Sequence, residues 1–349
     1  MKKIVLTGGG TAGHVMPNIA LLPMLKKNFK EIYYITSENG IENNILKDYK
    51  DIKIKKIETC KLIRSLNLKN LLIPYKLLKS INDAKKILKE IKPNVVFSKG
   101  GYVSVPVVIA AKKLKIPVVS HESDISMGLS NKIIYKYCKC MCTTFNETNK
   151  NRKKCILTGN PIRDEIFKGN KQIAEKLCNF NNNKKVLMVF GGSLGARFLN
   201  NFITNNLNEI TKNFNIIHIV GKGNLKKIDN KSYYQMEFTN KIEHFFSYAD
   251  VIMCRGGSNS IHELLALKKL MLIIPLPKNE SRGDQIDNAI SFKKNGYCEY
   301  ILQENLDLNN FNEKIECLLK NKENYIKNME KSSQNDVNNK IVKIINNVM

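Results

Sequence analysis

Four glycine-rich turns, each at the end of an apolar run, are where this chain could do chemistry. They read Thr7-Gly8-Gly9-Gly10-Thr11-Ala12-Gly13-His14, Ser98-Lys99-Gly100-Gly101-Tyr102-Val103-Ser104, Phe190-Gly191-Gly192-Ser193-Leu194-Gly195-Ala196-Arg197 and Cys254-Arg255-Gly256-Gly257-Ser258-Asn259-Ser260. Glycine lets the backbone come close to a diphosphate or a sugar. The helix N-terminus behind such a turn adds free N–H groups and a partial positive charge. One such turn alone is an ordinary strand-to-helix connection. Four of them suit a substrate held between two domains that carries a diphosphate and two sugars. The first turn also satisfies G-x-G-x-x-G through Gly8, Gly10 and Gly13. A dinucleotide site is therefore an alternative, with Glu38 as the acid for the ribose. It would use one turn and leave three unexplained.

Reactive side chains accompany the turns. Glu263 falls one turn inside a helix whose mouth is Gly256-Gly257-Ser258. A carboxylate there can accept two ribose hydroxyls, or simply complement the helix dipole. His14 can act as a base or hydrogen-bond donor, or cap the helix that follows. His121-Glu122-Ser123-Asp124 ends another apolar run and puts carboxylates at the same edge. Arg163, just after Asn160-Pro161, could reach a phosphate. Cys138, Cys140 and Cys142 alternate and would share one face of a strand, which favours core packing over a zinc site. No Asp-x-Asp is present, which argues against a transferase that grips its diphosphate through a metal. No P-loop and no H-E-x-x-H occur either, so ATPase and zinc-peptidase chemistry lack their signatures.

To position these groups the chain must alternate strands and helices. Val- and Ile-rich runs at 4–6, 32–35, 95–97, 118–119 and 141–144 predict buried strands, and the pattern restarts at 186–190, 216–220, 251–254 and 270–274. Helix-period segments fall between them, among them 73–89, 105–114, 199–212, 260–267 and 285–294. Short buried strands alternating with helices predict parallel sheets covered on both faces. The alternation breaks at Gly159-Asn160-Pro161 and the polar stretch that follows. The reading is an α/β chain of two doubly wound domains, 1–160 and 161–332, hinged near Asn160. The segment 333–349 is expected to pack back on the first. Ligand is expected in a cleft where the carboxyl ends of both sheets point.

A chain of 349 residues, 43% hydrophobic and 25% charged, has the size and composition of two globular domains. No apolar run reaches the roughly 20 residues of a membrane span. The apolar stretch at 4–6 is shorter than the roughly 7–15 residues of a signal-peptide core. Secretion is therefore not expected. There are 57 basic and 31 acidic residues, a net charge of +26. That charge suits a polyanion, either nucleic acid or an anionic membrane, or reflects lysine spread over the whole surface. No RRM, KH or zinc-finger signature accompanies it, so nucleic acid is not the expected partner. Nine cysteines scattered from Cys60 to Cys317 read as reduced thiols of a cytoplasmic protein.

Seven blocks, in order and with matching spacing, closely resemble the MurG family of bacterial N-acetylglucosaminyltransferases. They are Gly9-Gly10-Thr11-Ala12-Gly13-His14-Val15, Lys99-Gly100-Gly101-Tyr102-Val103-Ser104, His121-Glu122, Gly159-Asn160-Pro161-Ile162-Arg163, Gly191-Gly192-Ser193-Leu194-Gly195-Ala196-Arg197, Cys254-Arg255-Gly256-Gly257 and Arg282-Gly283-Asp284-Gln285-Ile286-Asp287-Asn288-Ala289. The resemblance implies the GT-B fold, two Rossmann-like domains. It implies inverting transfer of GlcNAc from UDP-GlcNAc to the 4-hydroxyl of undecaprenyl-diphosphate-linked MurNAc-pentapeptide (lipid I), giving lipid II, without metal or other cofactor. Carried over residue by residue, Ser193 and Arg163 would contact the donor diphosphate. Glu263 would hold the ribose and Gln285, with Asp284 beside it, the GlcNAc hydroxyls. The backbone at Phe238-Thr239 would read the uracil. Thr11, Ala12 and Gly13 would face the sugar, with the Gly100-Gly101-Tyr102 turn near the acceptor diphosphate. His14 would assist deprotonation of the acceptor hydroxyl.

Two departures matter. Many relatives read His-Glu-Gln-Asn where this chain has His121-Glu122-Ser123-Asp124, which makes Asp124 an acceptor only and a second candidate base. Many carry two adjacent glutamines where this chain has Asp284-Gln285. A lipid acceptor implies a peripheral protein on the cytoplasmic face of the cell membrane, with other cell-wall synthesis proteins as partners. The lysine-flanked apolar segment 69–79 suits that contact, or is an amphipathic helix packed on its sheet. A glycolipid synthase acting on diacylglycerol and a UDP-GlcNAc epimerase are alternatives of similar architecture.

Overall fold

The computed structural model describes residues 2–59, 73–192, 195–332, 334 and 336–349. The chain divides into two compact units, one of 1–163 with 333–349 and the other of 164–332. The first unit is a parallel seven-stranded sheet of β1 (Lys3–Thr7), β2 (Glu31–Ser37), β3 (Ile52–Ile57), β4 (Val95–Ser98), β5 (Val118–Glu122), β6 (Cys140–Thr143) and β7 (Cys155–Leu157). Its helices are α1 (Met16–Asn28), α2 (Ile41–Leu46), α3 (Ile73–Ile91), α4 (Ser104–Lys113) and α5 (Leu129–Tyr137). The strand order is β3-β2-β1-β4-β5-β6-β7. The chain therefore builds outward from β1 to β3, then crosses back to the other side of β1. The connections after β1 and β4 leave in opposite directions, and the first two glycine turns stand on either side of that reversal. An open parallel sheet binds its ligands at such a point.

The second unit repeats the plan. Its helices are α6 (Lys171–Cys178), α7 (Arg197–Asn205), α8 (Leu207–Asn213), α9 (Ile242–Tyr248), α10 (Ser258–Ala266), α11 (Asp284–Lys294), α12 (Leu308–Lys320) and α13 (Lys322–Glu330). Its strands are β8 (Lys185–Phe190), β9 (Phe214–Ile219), β10 (Tyr233–Met236), β11 (Val251–Cys254), β12 (Leu270–Ile273) and β13 (Glu299–Tyr300), in the order β10-β9-β8-β11-β12-β13. Here the reversal lies between β8 and β11, the strands that end in the third and fourth glycine turns.

The predicted alternation is what the chain forms, with local differences. The helix expected over 199–212 is two, α7 and α8, broken at Asn206, whose side chain donates to the Phe202 carbonyl at 2.8 Å. Cys138 does not share a strand face with Cys140 and Cys142. It ends α5 and packs with Met141 on one side of the sheet, while the other two pack on the opposite side with α1. All three are buried core thiols. Their burial raises the Cys138 thiol to about 12 and the Cys140 thiol to about 11, far from thiolate chemistry.

The last helix, α14 (Val337–Asn347), belongs to the first unit. Val337, Ile341, Val342 and Ile345 are buried against Leu21, Leu22 and Leu25 of α1. Asn338 accepts from the Ile162 amide at 3.3 Å and donates to the Ile162 and Ala20 carbonyls at 2.8 and 3.2 Å. Without α14 that face of α1 would be apolar and exposed. An Ile341→Ala substitution removes a fully buried side chain, and should cost the first unit about 2–5 kcal/mol, read by chemical denaturation.

Candidate active site

In the first unit, the turn after β1 winds through Gly8-Gly9-Gly10-Thr11 into a 3-10 turn, Ala12–His14, before α1 begins at Met16. Gly10 adopts φ +86°, and a Cβ there would lie 2.6 Å from the Tyr102 ring. The Thr11 hydroxyl and His14 Nδ1 are hydrogen-bonded at 3.0 Å. Gly101, at φ +81°, brings the second glycine turn against the first. A Cβ on it would strike the Gly9 carbonyl and come within 3.3 Å of His14 Nδ1. Thr11, Ala12, Gly13, His14, Gly100, Gly101 and Tyr102 thus form one cluster built by two strand ends.

A fully buried carboxylate shapes the first turn from below. Glu42, at the start of α2, accepts the Gly10 amide at 3.1 Å, the Ser37 amide at 3.0 Å and the Ser37 hydroxyl at 2.5 Å. The acid that meets this turn is therefore Glu42, not the exposed Glu38. Nothing in its immediate sequence marks it, because its partners lie five and 32 residues away.

Asp124 lies half-buried in the loop after β5. Its amide donates to Glu122 Oε1 at 3.0 Å, and Glu122 Oε2 also takes the Gly128 amide and the Asn131 amide group. Glu122 is spent on holding this loop. His121 is buried and hydrogen-bonded to the Gly159 carbonyl at 2.9 Å. Arg163 ends the first of the two stretches of chain that make up the first unit, and is half-buried.

In the second unit, a pocket of about 470 Å³ opens at the strand reversal. Gly191, Gly195 and Arg197 of the third turn line it, with Arg255 of the fourth, Glu280 and Gln285. Gln285, in the first turn of α11, is pinned by the Leu276 amide, which it accepts at 3.1 Å. Asp284 precedes it, with Arg282 Nη2 at 3.6 Å. Asn288 donates to the Gly256 carbonyl at 3.1 Å and ties α11 to the fourth turn. Arg255 is buried, and Nη1 donates to the Ile274 carbonyl at 3.0 Å. Sequence reading passed it over because it sits among glycines that already explained the turn. Burial lowers its guanidinium from the ordinary value.

Glu263 stands half-buried on α10, beyond the residues that line this pocket. Thr239, also beyond them, accepts the Lys241 amide at 3.0 Å in the loop between β10 and α9, beside an exposed Phe238. His262 is a core residue, packed edge-on to Phe292 at 4.9 Å. Ser193 lies outside the described residues.

Models of the glycosyltransferase family 28 N-terminal and C-terminal domains match residues 4–143 and 186–346. The chain belongs to this family of glycosyltransferases, and its two parallel-sheet units are those of the GT-B fold. It is 50% identical over 344 residues to the UDP-N-acetylglucosamine--N-acetylmuramyl-(pentapeptide) pyrophosphoryl-undecaprenol N-acetylglucosamine transferase of Clostridium tetani (strain Massachusetts / E88), covering 97% of this chain and 96% of the relative. The protein of the same description from Clostridium botulinum (strain Kyoto / Type A2) is 49% identical over 350 residues, 99% of each chain. The crystal structure of Acinetobacter baumannii MurG matches with a TM-score of 0.78 at 24% identity, covering 99% of this chain and 100% of that one. UDP-GlcNAc 2-epimerase from Neisseria meningitidis, solved bound to UDP-GlcNAc, matches at 0.67 and 15% identity over 99% and 100% of the chains. At these identities the two structures speak to fold alone.

Behind the pocket, His218 is buried between Tyr233 and Asn200, at 2.9 and 3.0 Å. Asn200 in turn donates to the Val220 carbonyl at 2.8 Å, holding α7, which carries Arg197 and Asn201 of the pocket wall. Burial pushes the imidazole down from 6.5 to about 4. The unfolded chain therefore takes up a proton that the folded chain refuses, and stability falls as pH drops from 6.5 toward 4. A His218→Gln variant should lose less stability than the wild type between about pH 7 and pH 5, as read from denaturation midpoints.

Proposed function

We propose that this chain transfers N-acetylglucosamine from UDP-GlcNAc to the 4-hydroxyl of undecaprenyl-diphosphate-linked MurNAc-pentapeptide, inverting the anomeric centre. The observation that carries the reading is one device used twice: a pair of glycine turns flanking the strand reversal of each sheet. One pair suits a UDP-sugar. The other is free for an acceptor that also carries a diphosphate and a sugar. Membership of glycosyltransferase family 28 and the printed activity of the clostridial relatives support the same assignment.

In this reading the donor lies on the second unit. Gly191, Gly195 and Ser193 approach its diphosphate. Glu263 accepts the ribose hydroxyls, Asp284 and Gln285 meet the GlcNAc, and the backbone at Thr239 reads the uracil. Arg163 adds charge at the donor diphosphate. The acceptor lies on the first unit, against Thr11, Ala12, Gly13 and the Gly100-Gly101-Tyr102 turn. The acceptor oxygen attacks C1 of GlcNAc as the bond from C1 to the UDP oxygen breaks. Its proton passes to His14 or Asp124. Arginine and helix N-termini stabilise the departing diphosphate, so the step calls for no metal or cofactor.

The acceptor's lipid places the protein at the cytoplasmic face of the membrane, in the company of other cell-wall enzymes. No helix among the described residues is long and apolar enough to cross a membrane. α3 packs Ile81, Ala84 and Leu88 on its sheet, yet leaves Tyr75 70% and Leu78 58% exposed beside Lys76 and Lys79. That end of α3 suits insertion among anionic lipid headgroups. The rest of the lysine-flanked segment, 69–72, lies outside the described residues.

The test is transfer of radiolabelled GlcNAc to a lipid I analogue in the presence of EDTA, with diacylglycerol as a competing acceptor. Label on the lipid I analogue supports the proposal. Label on diacylglycerol, or conversion of UDP-GlcNAc without transfer, overturns it in favour of a glycolipid synthase or an epimerase. Glu263→Gln should raise KM for UDP-GlcNAc about 10- to 100-fold, the weight of a charged hydrogen bond to two hydroxyls. A general base works only when deprotonated, so the rate climbs through its pKa. Of His14→Ala and Asp124→Asn, the variant that abolishes this acidic limb identifies the base, and a limb intact in both excludes both.

A further inference from the structure

Lys99 immediately precedes the Gly100-Gly101 turn, yet its side chain is only 2% exposed. Its stem and head touch different parts of the site. A Cβ on Gly8 would lie 3.0 Å from Lys99 Cβ, so the stem is wedged under the first glycine turn. The Lys99 amide donates to the Thr7 carbonyl at 2.9 Å. The ammonium reaches across the sheet edge and donates to the Ser123 hydroxyl, in the loop after β5. Ser123 donates onward to Asn160 Oδ1 at 2.9 Å. Asn160 is itself buried, its amide and carbonyl both held by the Gln334 side chain at 2.8 and 3.1 Å. One side chain thus stitches the ends of β1, β4 and β5 to the segment that leaves the unit.

A buried ammonium is a costly way to fill this space. Its hydrogen-bond acceptor among the described residues is a neutral hydroxyl, and the Glu122 and Asp124 carboxylates act on it only through their fields. Burial lowers the ammonium to about 8. Replacing a buried charge by an apolar side chain of similar volume is often neutral or stabilising, so packing alone does not account for a lysine here. What the charge adds is a directed hydrogen bond that fixes three loops in register.

The geometry points to Lys99 as a positioning residue for the transfer reaction: through Ser123 and Asn160 it sets where the Gly100-Gly101 turn and Asp124 meet the acceptor. The inference rests on the function proposed above.

The experiment compares the wild type with Lys99→Met, Ser123→Ala and the double variant. Each is assayed for GlcNAc transfer to a lipid I analogue, for UDP-GlcNAc binding and for thermal midpoint. In Lys99→Met the thermal midpoint should hold or rise, and UDP-GlcNAc binding should not change. kcat should fall about tenfold to a hundredfold, the scale of a displaced reacting group, with a raised KM for the acceptor. Ser123→Ala should fall in the same direction, and the double variant should be no worse than Lys99→Met, because both break one chain of contacts. Wild-type kinetics in Lys99→Met overturn the assignment, as do losses that multiply independently or a loss that tracks instability. If Lys99→Met does not fold, Ser123→Ala decides, and wild-type kinetics there overturn the proposal. Absence of transfer by the wild type strikes the functional reading itself, and this inference with it.

Discussion

Where the chain finishes β3 and returns to lay down β4 on the far side of β1, it creates a gap that no connection covers. The loops after β1 and β4 must diverge, because one leads toward β2 and the other toward β5. The same reversal between β8 and β11 makes the pocket in the second unit. Both gaps lie at the carboxyl ends of strands, where helices begin and their positive dipole ends face the opening. The first unit's cluster, and Gly191, Gly195, Arg197 and Arg255 of the second unit's pocket, are carried by turns and helices that start at one of these gaps. Glycine is needed there because the two loops nearly touch, as Gly101 does the Gly9 carbonyl.

The glycine turns themselves were legible, because their residue types follow from backbone geometry. The central strands were legible too, since burial on both faces demands continuous Val and Ile. Edge strands were not. β3 reads Ile-Lys-Ile-Lys-Lys-Ile and β10 reads Tyr-Tyr-Gln-Met, patterns set by partial exposure rather than burial. The supporting residues were hidden for a different reason. Glu42, Lys99 and Arg255 each act on a loop remote in sequence, and a lone Glu or Lys in a charged chain carries no signal of burial. The alternating cysteines misled by assuming one strand where the chain turns from helix to strand at Cys138.

These hidden residues share a logic. Glu42 puts a carboxyl group under a glycine turn, Lys99 an amine beside the next, and Arg255 a guanidinium beside the fourth. Each is buried and directed at backbone or hydroxyl groups. The glycines of these turns have no side chains to hold them in one conformation, so their order comes from charged neighbours, within the turn or outside it, that reach to other loops. Charged groups do this well because their hydrogen bonds are directional and strong when water is excluded.

The place of α14 bears on how the molecule comes into being. All seven strands of the first sheet have been made by Leu157, but the helix that covers Leu21, Leu22 and Leu25 is made only after every element of the second unit. Domains generally fold as units, N-terminal first, while synthesis proceeds. Here the second unit is whole before the first can close. Until α14 emerges, after the whole of the second unit, the nascent first unit carries a bare apolar face. That interval is when a chaperone has an apolar surface to hold.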